Sequence, residues 1–134
     1  MADGGAREGS PSGPARRAGG RGLNVVSLVG RLARDPDVRT TETGIQRAWF
    51  VLAVPRTAVG RDGRRDADFI PVIAWRRLAS VVADHLRAGR LVGVAGHLRV
   101  EQMDAEGGRR TAVEVVAEQV VFLDAPPRPS PAEE

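Results

Sequence analysis

Arginine is the residue type best suited to do chemistry in this sequence. All 20 basic residues are arginine, and a guanidinium group stays charged near neutral pH and matches the geometry of phosphate and carboxylate groups. The formal net charge is +3, so a polyanion is the first partner to consider. Because lysine is absent, a Walker-type phosphate loop and a Schiff-base nucleophile are both excluded.

The remaining side chains give little support for catalysis or metal binding. The absence of cysteine excludes a disulfide framework, a thiolate nucleophile and a cysteine-based zinc site. The carboxylates are dispersed, and no Ser-His-Asp set can be proposed from spacing. Of the two histidines, His85 is expected to pack on the apolar edge of a helix and His97 to lie at a solvated strand position. We therefore expect a protein that is not an enzyme and that has no metal and no cofactor.

The chain divides into three segments by composition, and its length suits a single domain. Residues 1–22 are rich in Gly, Ala, Arg, Pro and Ser, which predicts a disordered arm. Residues 23–124 hold nearly every large apolar side chain and form the predicted domain, and residues 125–134 form a short proline-rich tail. The sequence shows neither a secretory signal nor an apolar run of membrane-spanning length, so a cytoplasmic protein without membrane contact is expected.

The domain is predicted to consist mainly of strands, because apolar and β-branched residues alternate with polar ones. A turn is predicted at residues 34–37 and a glycine-rich hairpin loop at residues 104–108. Between residues 76 and 88 the apolar side chains recur at helical spacing, which predicts one helix with Gly89 at its C′ position. The five predicted strands are residues 23–32, 46–56, 69–75, 91–100 and 111–123.

This order of elements predicts the fold. Three strands, one helix and two strands are typical of an all-β, five-stranded Greek-key barrel of the oligonucleotide/oligosaccharide-binding (OB) fold, with one α-helix between strands 3 and 4. Other small β-barrels share much of the pattern.

Strand alternation also assigns faces to the aromatic residues of the second strand. Phe50 falls in the series that points inward with Leu52 and Val54, so Trp49 is expected on the outer face with Arg47. There Trp49 would contact either nucleic acid or another subunit. Phe122 is expected in the core.

Several phrases go beyond pattern and resemble one family. Residues 24–39 (NVVSLVGRLARDPDVR), 69–75 (FIPVIAW), 85–89 (HLRAG) and 94–99 (VAGHLR) are similar, in order and spacing, to segments of bacterial single-stranded DNA-binding proteins. The resemblance covers the whole predicted domain. It implies a homotetrameric OB-fold protein that binds single-stranded DNA without sequence preference in replication, recombination and repair, in the cytoplasm and associated with the nucleoid.

The resemblance also implies where the strand would bind. The stacking positions of the family correspond to Phe69, Trp75 and Met103, and a fourth position is occupied by Ala58, which offers no ring. Phe69 and Trp75 are an even number of residues apart and would share a face of an unbroken strand, although Pro71 interrupts it and core packing is the alternative for both. The arginines expected to contact phosphate are Arg31, Arg34, Arg39, Arg56, Arg76, Arg77, Arg99 and Arg110, and the alternative for them is a solvated surface position.

Some positions depart from the family. Glu101 and Gln102 stand where the family tends to be basic, and the positive charge of Arg61, Arg64 and Arg65 is offset by neighbouring aspartates. The tail ends in two glutamates without a following apolar residue, so recruitment of replication proteins through the tail is not expected. The basic segment 16–22 is either a flexible contact to nucleic acid or a solvated leader.

Two further functions are compatible with these residues. The first is an OB-fold interaction module, similar to primosomal components, in which protein contact is primary and nucleic-acid binding is weak. The second is an RNA or tRNA binder on the same fold.

Overall fold

The computed structural model of the chain contains six strands and one helix. It describes residues 20–59 and 65–124, except for the side chains of residues 58, 59 and 65. The predicted arm (1–22, apart from its last three residues), the tail (125–134), Arg61 and Arg64 lie outside the described residues, as do the side chains of Ala58 and Arg65. The elements are β1 (Val26–Leu32), β2 (Asp37–Thr40), β3 (Gln46–Val59), β4 (Arg65–Trp75), α1 (Arg76–His85), β5 (Leu91–Ala105) and β6 (Gly108–Phe122).

Five of the strands close into a barrel. The hydrogen-bonded order is β1-β5-β6-β4-β3, and β1 also pairs with β3, which closes the ring. All of these pairings are antiparallel except β4 with β6, which run parallel through Val72 with Val115 and Ile73 with Val116. The predicted OB-fold class is confirmed, and the sixth strand, β2, extends the sheet outside the ring by pairing with β3.

The core fills the inside of this barrel, as period-2 alternation requires. On β3, Phe50 and Leu52 are fully buried, and Trp49 between them and Arg47 is only partly buried, as predicted. The other residues of the core are Leu32, Ala48, Val72, Ala74, Ala79, Val82, Leu86, Val92, Val94, Val115 and Ala117. Ile73 is also buried but lies outside this cluster.

Two glycines allow strands of the barrel to approach closely. A Cβ atom at Gly30 would overlap the carbonyl oxygen of Ala53, where β1 passes from β5 to β3. A Cβ atom at Gly96 would overlap the carbonyl oxygen of Val116, next to a register shift between β5 and β6. Both glycines are therefore needed for closure.

The helix is shorter than predicted. It ends at His85, and Leu86 is extended (φ −98°, ψ 138°), so the prediction of a helix to residue 88 with Gly89 at C′ is wrong. The backbone N–H groups of Ala88 and Gly89 donate instead to the Asp35 carboxylate (2.8 Å) and to the Leu32 carbonyl (2.8 Å). These tertiary hydrogen bonds hold the segment against the end of β1.

Other boundaries also differ. The predicted turn at residues 34–37 is wrong at its end, because Asp37 already begins β2. The predicted loop at 104–108 shrinks to Glu106 and Gly107, since β5 and β6 continue to that turn. Within the described ranges, no helix has the length and hydropathy needed to cross a membrane.

Candidate nucleic-acid interface

Both tryptophans of the sequence line one groove on the outer face of the barrel. Arg47 lies opposite Trp75, and Trp49 opposite Ile73, in the register of β3 and β4. The two rings are therefore diagonal neighbours on one face of the sheet. We call this the aromatic groove; it has a volume of about 620 Å³ and is lined by Asp37, Arg39, Arg47, Trp49, Ile73, Trp75, Arg99, Glu101 and Glu114.

Phe69 lies beyond Pro71 on the same strand, in a second groove. Its side chain is 66% exposed, so the alternative of core packing is wrong for Phe69. The second groove, called the apolar groove, has a volume of about 300 Å³ and is lined by Val26, Leu28, Phe69, Ile70, Pro71, Leu98, Val113, Glu114 and Val115. Phe69 and Trp75 thus both lie outside the core, but they line different grooves. Glu114 lines both of these grooves.

The aromatic groove contains positive and negative charge in equal number. Its three arginines face three acids, so its formal charge is zero. Nε of Arg39 donates to Asp37 (3.3 Å). The Arg99 guanidinium pairs with Glu114. For Arg47 no acidic partner is present among the described residues.

The rim of the groove carries a further arginine. The Arg34 guanidinium lies over the Trp49 ring, 5.6 Å from its centroid, at a distance where cation–π attraction is effective. One face of Trp49 is therefore already covered within the protein. Glu101, which the sequence places at a basic position of the family, lines the groove and adds negative charge to it.

The strand-to-helix junction beside Trp75 is strained. Arg76 has φ +58°, a left-handed conformation that is costly for a residue with a Cβ atom. Both Arg76 and Arg77 are exposed, and neither has an acidic partner among the described residues.

The other predicted arginines are dispersed. Arg56 donates from Nε (2.9 Å) and Nη2 (2.8 Å) to Asp68, and this hydrogen bond, with the charge of Asp68, raises the pKa of Arg56. Arg31 donates to the Gly89 carbonyl (2.9 Å), on the side of the barrel that holds Asp124. Arg110 lies opposite Met103 near the tip of the β5–β6 hairpin, outside both grooves.

The structure corrects the expectation for Phe122 and leaves the side chains of both histidines at least partly exposed. Phe122 is not in the core: it is 38% exposed and packs against the ring of His85, 5.4 Å between centroids. His85 is exposed, and its ring packs against Phe122, which agrees with the expected packing role. His97 is half-buried and Nδ1 lies 2.7 Å from the Glu118 carboxylate. In the part of the chain that the structure describes, no three histidine or carboxylate side chains are placed to hold a metal ion.

Arg47 and Glu114 are among the members of the aromatic groove that sequence reasoning missed as site residues. Arg47 has the same strand parity as Trp49, and this signal could have placed it there. Glu114 had no such signal, because it enters the groove from β6 through the register with Arg99, which no local pattern reveals.

Comparison with known proteins matches the fold and the sequence of this domain. The model of the single-strand binding protein family matches residues 23–123. Proteins named single-stranded DNA-binding protein from Bacillus cereus and single-stranded DNA-binding protein A from Bacillus subtilis are 46% and 48% identical over 103 residues, 76% of this chain. The match spans 61% and 60% of the length of those two relatives.

A solved structure described as a Plasmodium falciparum SSB complex with ssDNA has the same fold. It superimposes with a TM-score of 0.70 at 23% sequence identity, covering 78% of this chain and 98% of that one. At this identity the likeness bears on the fold alone. From the family model and the identities with the bacterial relatives, the chain belongs to the single-strand binding protein family.

Proposed function

We propose that this protein binds single-stranded DNA without sequence preference and protects it during replication, recombination and repair. One observation carries the proposal: both tryptophans lie in a single groove with three arginines, in a chain of this family. An unpaired strand exposes the faces of its bases and a row of phosphates, and this groove offers rings for the first and guanidinium groups for the second. Stacking needs no particular base, which explains the absence of sequence preference. A family of this kind also agrees with the expectation of a protein without catalytic activity.

The proposed contacts fall into two groups. Trp75 and Trp49 in the aromatic groove and Phe69 in the apolar groove would stack bases, and Arg39, Arg47 and Arg99 would meet phosphate. The remaining predicted contacts, Arg31, Arg34, Arg56, Arg76, Arg77, Arg110 and Met103, stay predictions. Arg31 and Arg56 have the least support, because they line neither groove and their guanidinium groups already bind groups of the protein.

We further infer that the domain acts as a homo-oligomer, a tetramer by resemblance. The support is an exposed apolar patch of Val29, Val121 and Leu123 on the outer face of β1 and β6, away from the aromatic groove. Contiguous apolar patches of this kind mark association surfaces. Mass measurement in solution, with and without a long oligonucleotide, tests this; a monomer under both conditions would overturn it.

The domain limits and the location belong to the same proposal. Residues 23–124 would be the DNA-binding domain, with the arm before it and the short tail after it, in a cytoplasmic protein associated with the nucleoid. Recruitment of partners through the tail is not part of the proposal.

The second candidate is the protein-interaction module. It is favoured by the zero formal charge of the aromatic groove, which weakens attraction of a polyanion. Titration with oligo-dT separates the two candidates, because both tryptophans lie in the groove and their fluorescence reports its occupation.

We expect quenching that saturates and weakens as salt rises, since phosphate contacts release counterions. Duplex DNA of matched length is the control and should quench little. Oligo-U as competitor tests the RNA alternative. Loose electrostatic binding is expected to have a dissociation constant of about 10⁻⁴–10⁻⁶ M. If oligo-dT causes no quenching at concentrations below this range, the interaction module is favoured.

A further inference from the structure

We propose that Glu114 limits how tightly the DNA strand is held, because its carboxylate occupies the guanidinium of Arg99 in the free protein. The inference rests on the proposed function and names a residue that sets affinity at the same site. It predicts that the phosphate of a bound strand competes with Glu114 for Arg99.

The pair is built into the barrel. Arg99 on β5 and Glu114 on β6 are direct partners in the antiparallel register, and Nη2 of Arg99 donates to Oε2 of Glu114. The side chains are 41% and 21% exposed, compared with 58% and 50% for Arg56 and Asp68. Charges that are better shielded from water interact more strongly, so the Arg99–Glu114 pair withholds more of its positive charge from a ligand than a surface pair does.

Glu114 lies where a bound DNA strand would pass from one groove to the other. It borders the aromatic groove and the apolar groove, and a chain that stacks on both Trp75 and Phe69 must pass between them. The two rings are six residues apart on β4, about 20 Å for extended backbone. At that crossing a carboxylate repels phosphate, and the nearest positive charge that could offset it is already paired.

Arg99 keeps unused donor capacity. A guanidinium has about five N–H donors, and only Nη2 has an acceptor among the described residues. Nε of Arg99 is buried without a hydrogen-bond partner in the same part of the chain. A backbone phosphate has two charged oxygens and can accept hydrogen bonds from both terminal nitrogens of Arg99, of which Glu114 engages only Nη2.

The test compares Glu114→Gln with Glu118→Gln. Both remove one negative charge from the same strand, but Glu118 pairs with His97 and frees no arginine. We expect Glu114→Gln to bind oligo-dT about 5-fold more tightly than the wild type, as one additional charge-assisted contact to phosphate would allow. The slope of log K against log salt should steepen by about 0.7, the value for one phosphate contact on a single strand, because in the wild type the Glu114 carboxylate that Arg99 releases offsets this contact. Glu118→Gln should leave this slope unchanged.

Two further variants secure the interpretation. Arg99→Gln combined with Glu114→Gln removes both charges and should return the slope to that of the wild type. Glu114→Asp keeps the charge but shortens its reach to Arg99, so it should give a smaller gain in the same direction. Circular dichroism checks that each variant is folded.

The outcomes separate the inference from the proposed function. If the wild type binds and Glu114→Gln and Glu118→Gln have equal slopes, the inference is wrong and the proposed function stands. If neither the wild type nor any folded variant binds oligo-dT, the proposed function fails and the inference with it.

Discussion

Trp75 and Trp49 share a groove but offer different surfaces to a base. The guanidinium of Arg34 covers one face of Trp49, 5.6 Å from its centroid, whereas no such group lies over Trp75 in the described part of the chain. A base that stacks on Trp49 must compete for the other face or displace Arg34. Trp75 should therefore contribute more to binding.

We expect Trp75→Ala to weaken binding of oligo-dT about 10- to 100-fold, because one base stack contributes about 1–3 kcal/mol. The loss for Trp49→Ala should be smaller. Anisotropy of a labelled oligonucleotide measures both without relying on tryptophan fluorescence. Equal losses, or a larger loss for Trp49→Ala, would contradict the assignment of Trp75 as the main platform.

Arg76 stores backbone strain at the end of β4. Its φ of +58° is a conformation that glycine adopts freely and other residues adopt at a cost of about 1–3 kcal/mol. We expect Arg76→Gly to raise the free energy of unfolding by about 1 kcal/mol, measured by urea denaturation.

The matched control is Arg77→Gly. Arg77 lies one residue further into α1 and has no positive φ, so glycine should lower stability there by up to about 1 kcal/mol through lost helix propensity. A loss of stability in Arg76→Gly as well would show that the strain is not relieved by glycine.

At the scale of strands, barrel closure depends on the close approach of β1 and β3. A methyl group at Gly30 would overlap the carbonyl oxygen of Ala53 and lie 3.1 Å from Cγ of Leu52, so the two strands would have to separate. We expect Gly30→Ala to destabilise the fold by about 3 kcal/mol, the upper range for overpacking. Urea denaturation measures this.

Gly93 on β5 provides the comparison. A Cβ atom there would make contacts of 3.5 Å or more, in the ordinary van der Waals range, so Gly93→Ala should change stability by less than about 0.5 kcal/mol. Similar losses of stability for Gly30→Ala and Gly93→Ala would contradict the claim that the close approach of β1 and β3 at Gly30 requires a glycine.

The same elements show what sequence reasoning could and could not reach. The face of Phe50 and the outward position of Trp49 were predictable, because alternation in a strand is a local property. β2 was not, since all four of its residues are exposed and show no apolar alternation. The end of α1 depends on hydrogen bonds to Leu32 and Asp35, which are remote in sequence.

The candidate site also has features that the sequence predicts and features that it does not. Trp75 was expected in the site from the resemblance to a family, and Arg39 and Arg99 were expected to contact phosphate; all three line the aromatic groove. The partners of the arginines were not predictable, because the pairing of Arg99 with Glu114 and of Arg56 with Asp68 depends on strand register. Balanced charge in the groove is therefore visible only in three dimensions.

At the scale of the whole molecule, Asp124 joins three segments of the chain. Its carboxylate accepts hydrogen bonds from the Leu91 backbone N–H (3.2 Å) and from Nε of Arg90 (3.0 Å), and Arg31 lies 3.8 Å away. The hydrogen bond from Leu91, followed by those from Arg90 and the nearby positive charges, holds the pKa of Asp124 below its ordinary value.

A carboxyl group whose pKa is lowered in the folded protein stabilises the fold above its unfolded pKa, and this contribution is lost as the pH falls through the folded pKa. We expect the wild type to lose stability more steeply than Asp124→Asn between about pH 5 and pH 2, while it is more stable at pH 7. Urea denaturation across this range measures the difference. If the free energy of unfolding depends on pH in the same way in the wild type and in Asp124→Asn, ionisation of Asp124 does not contribute to stability.

The parallel seam between β4 and β6 also sets the order in which the molecule assembles in time. The β3–β4 and β5–β6 hairpins join neighbours in the chain, whereas the seam unites Val72 with Val115 across α1 and all of β5. Contacts between residues this distant cost more loop-closure entropy than the contacts within either hairpin, and they form later than those contacts. Val72→Ala should accordingly speed unfolding more than it slows refolding in stopped-flow experiments, and a newly made chain should expose its apolar interior until β6 has been synthesised.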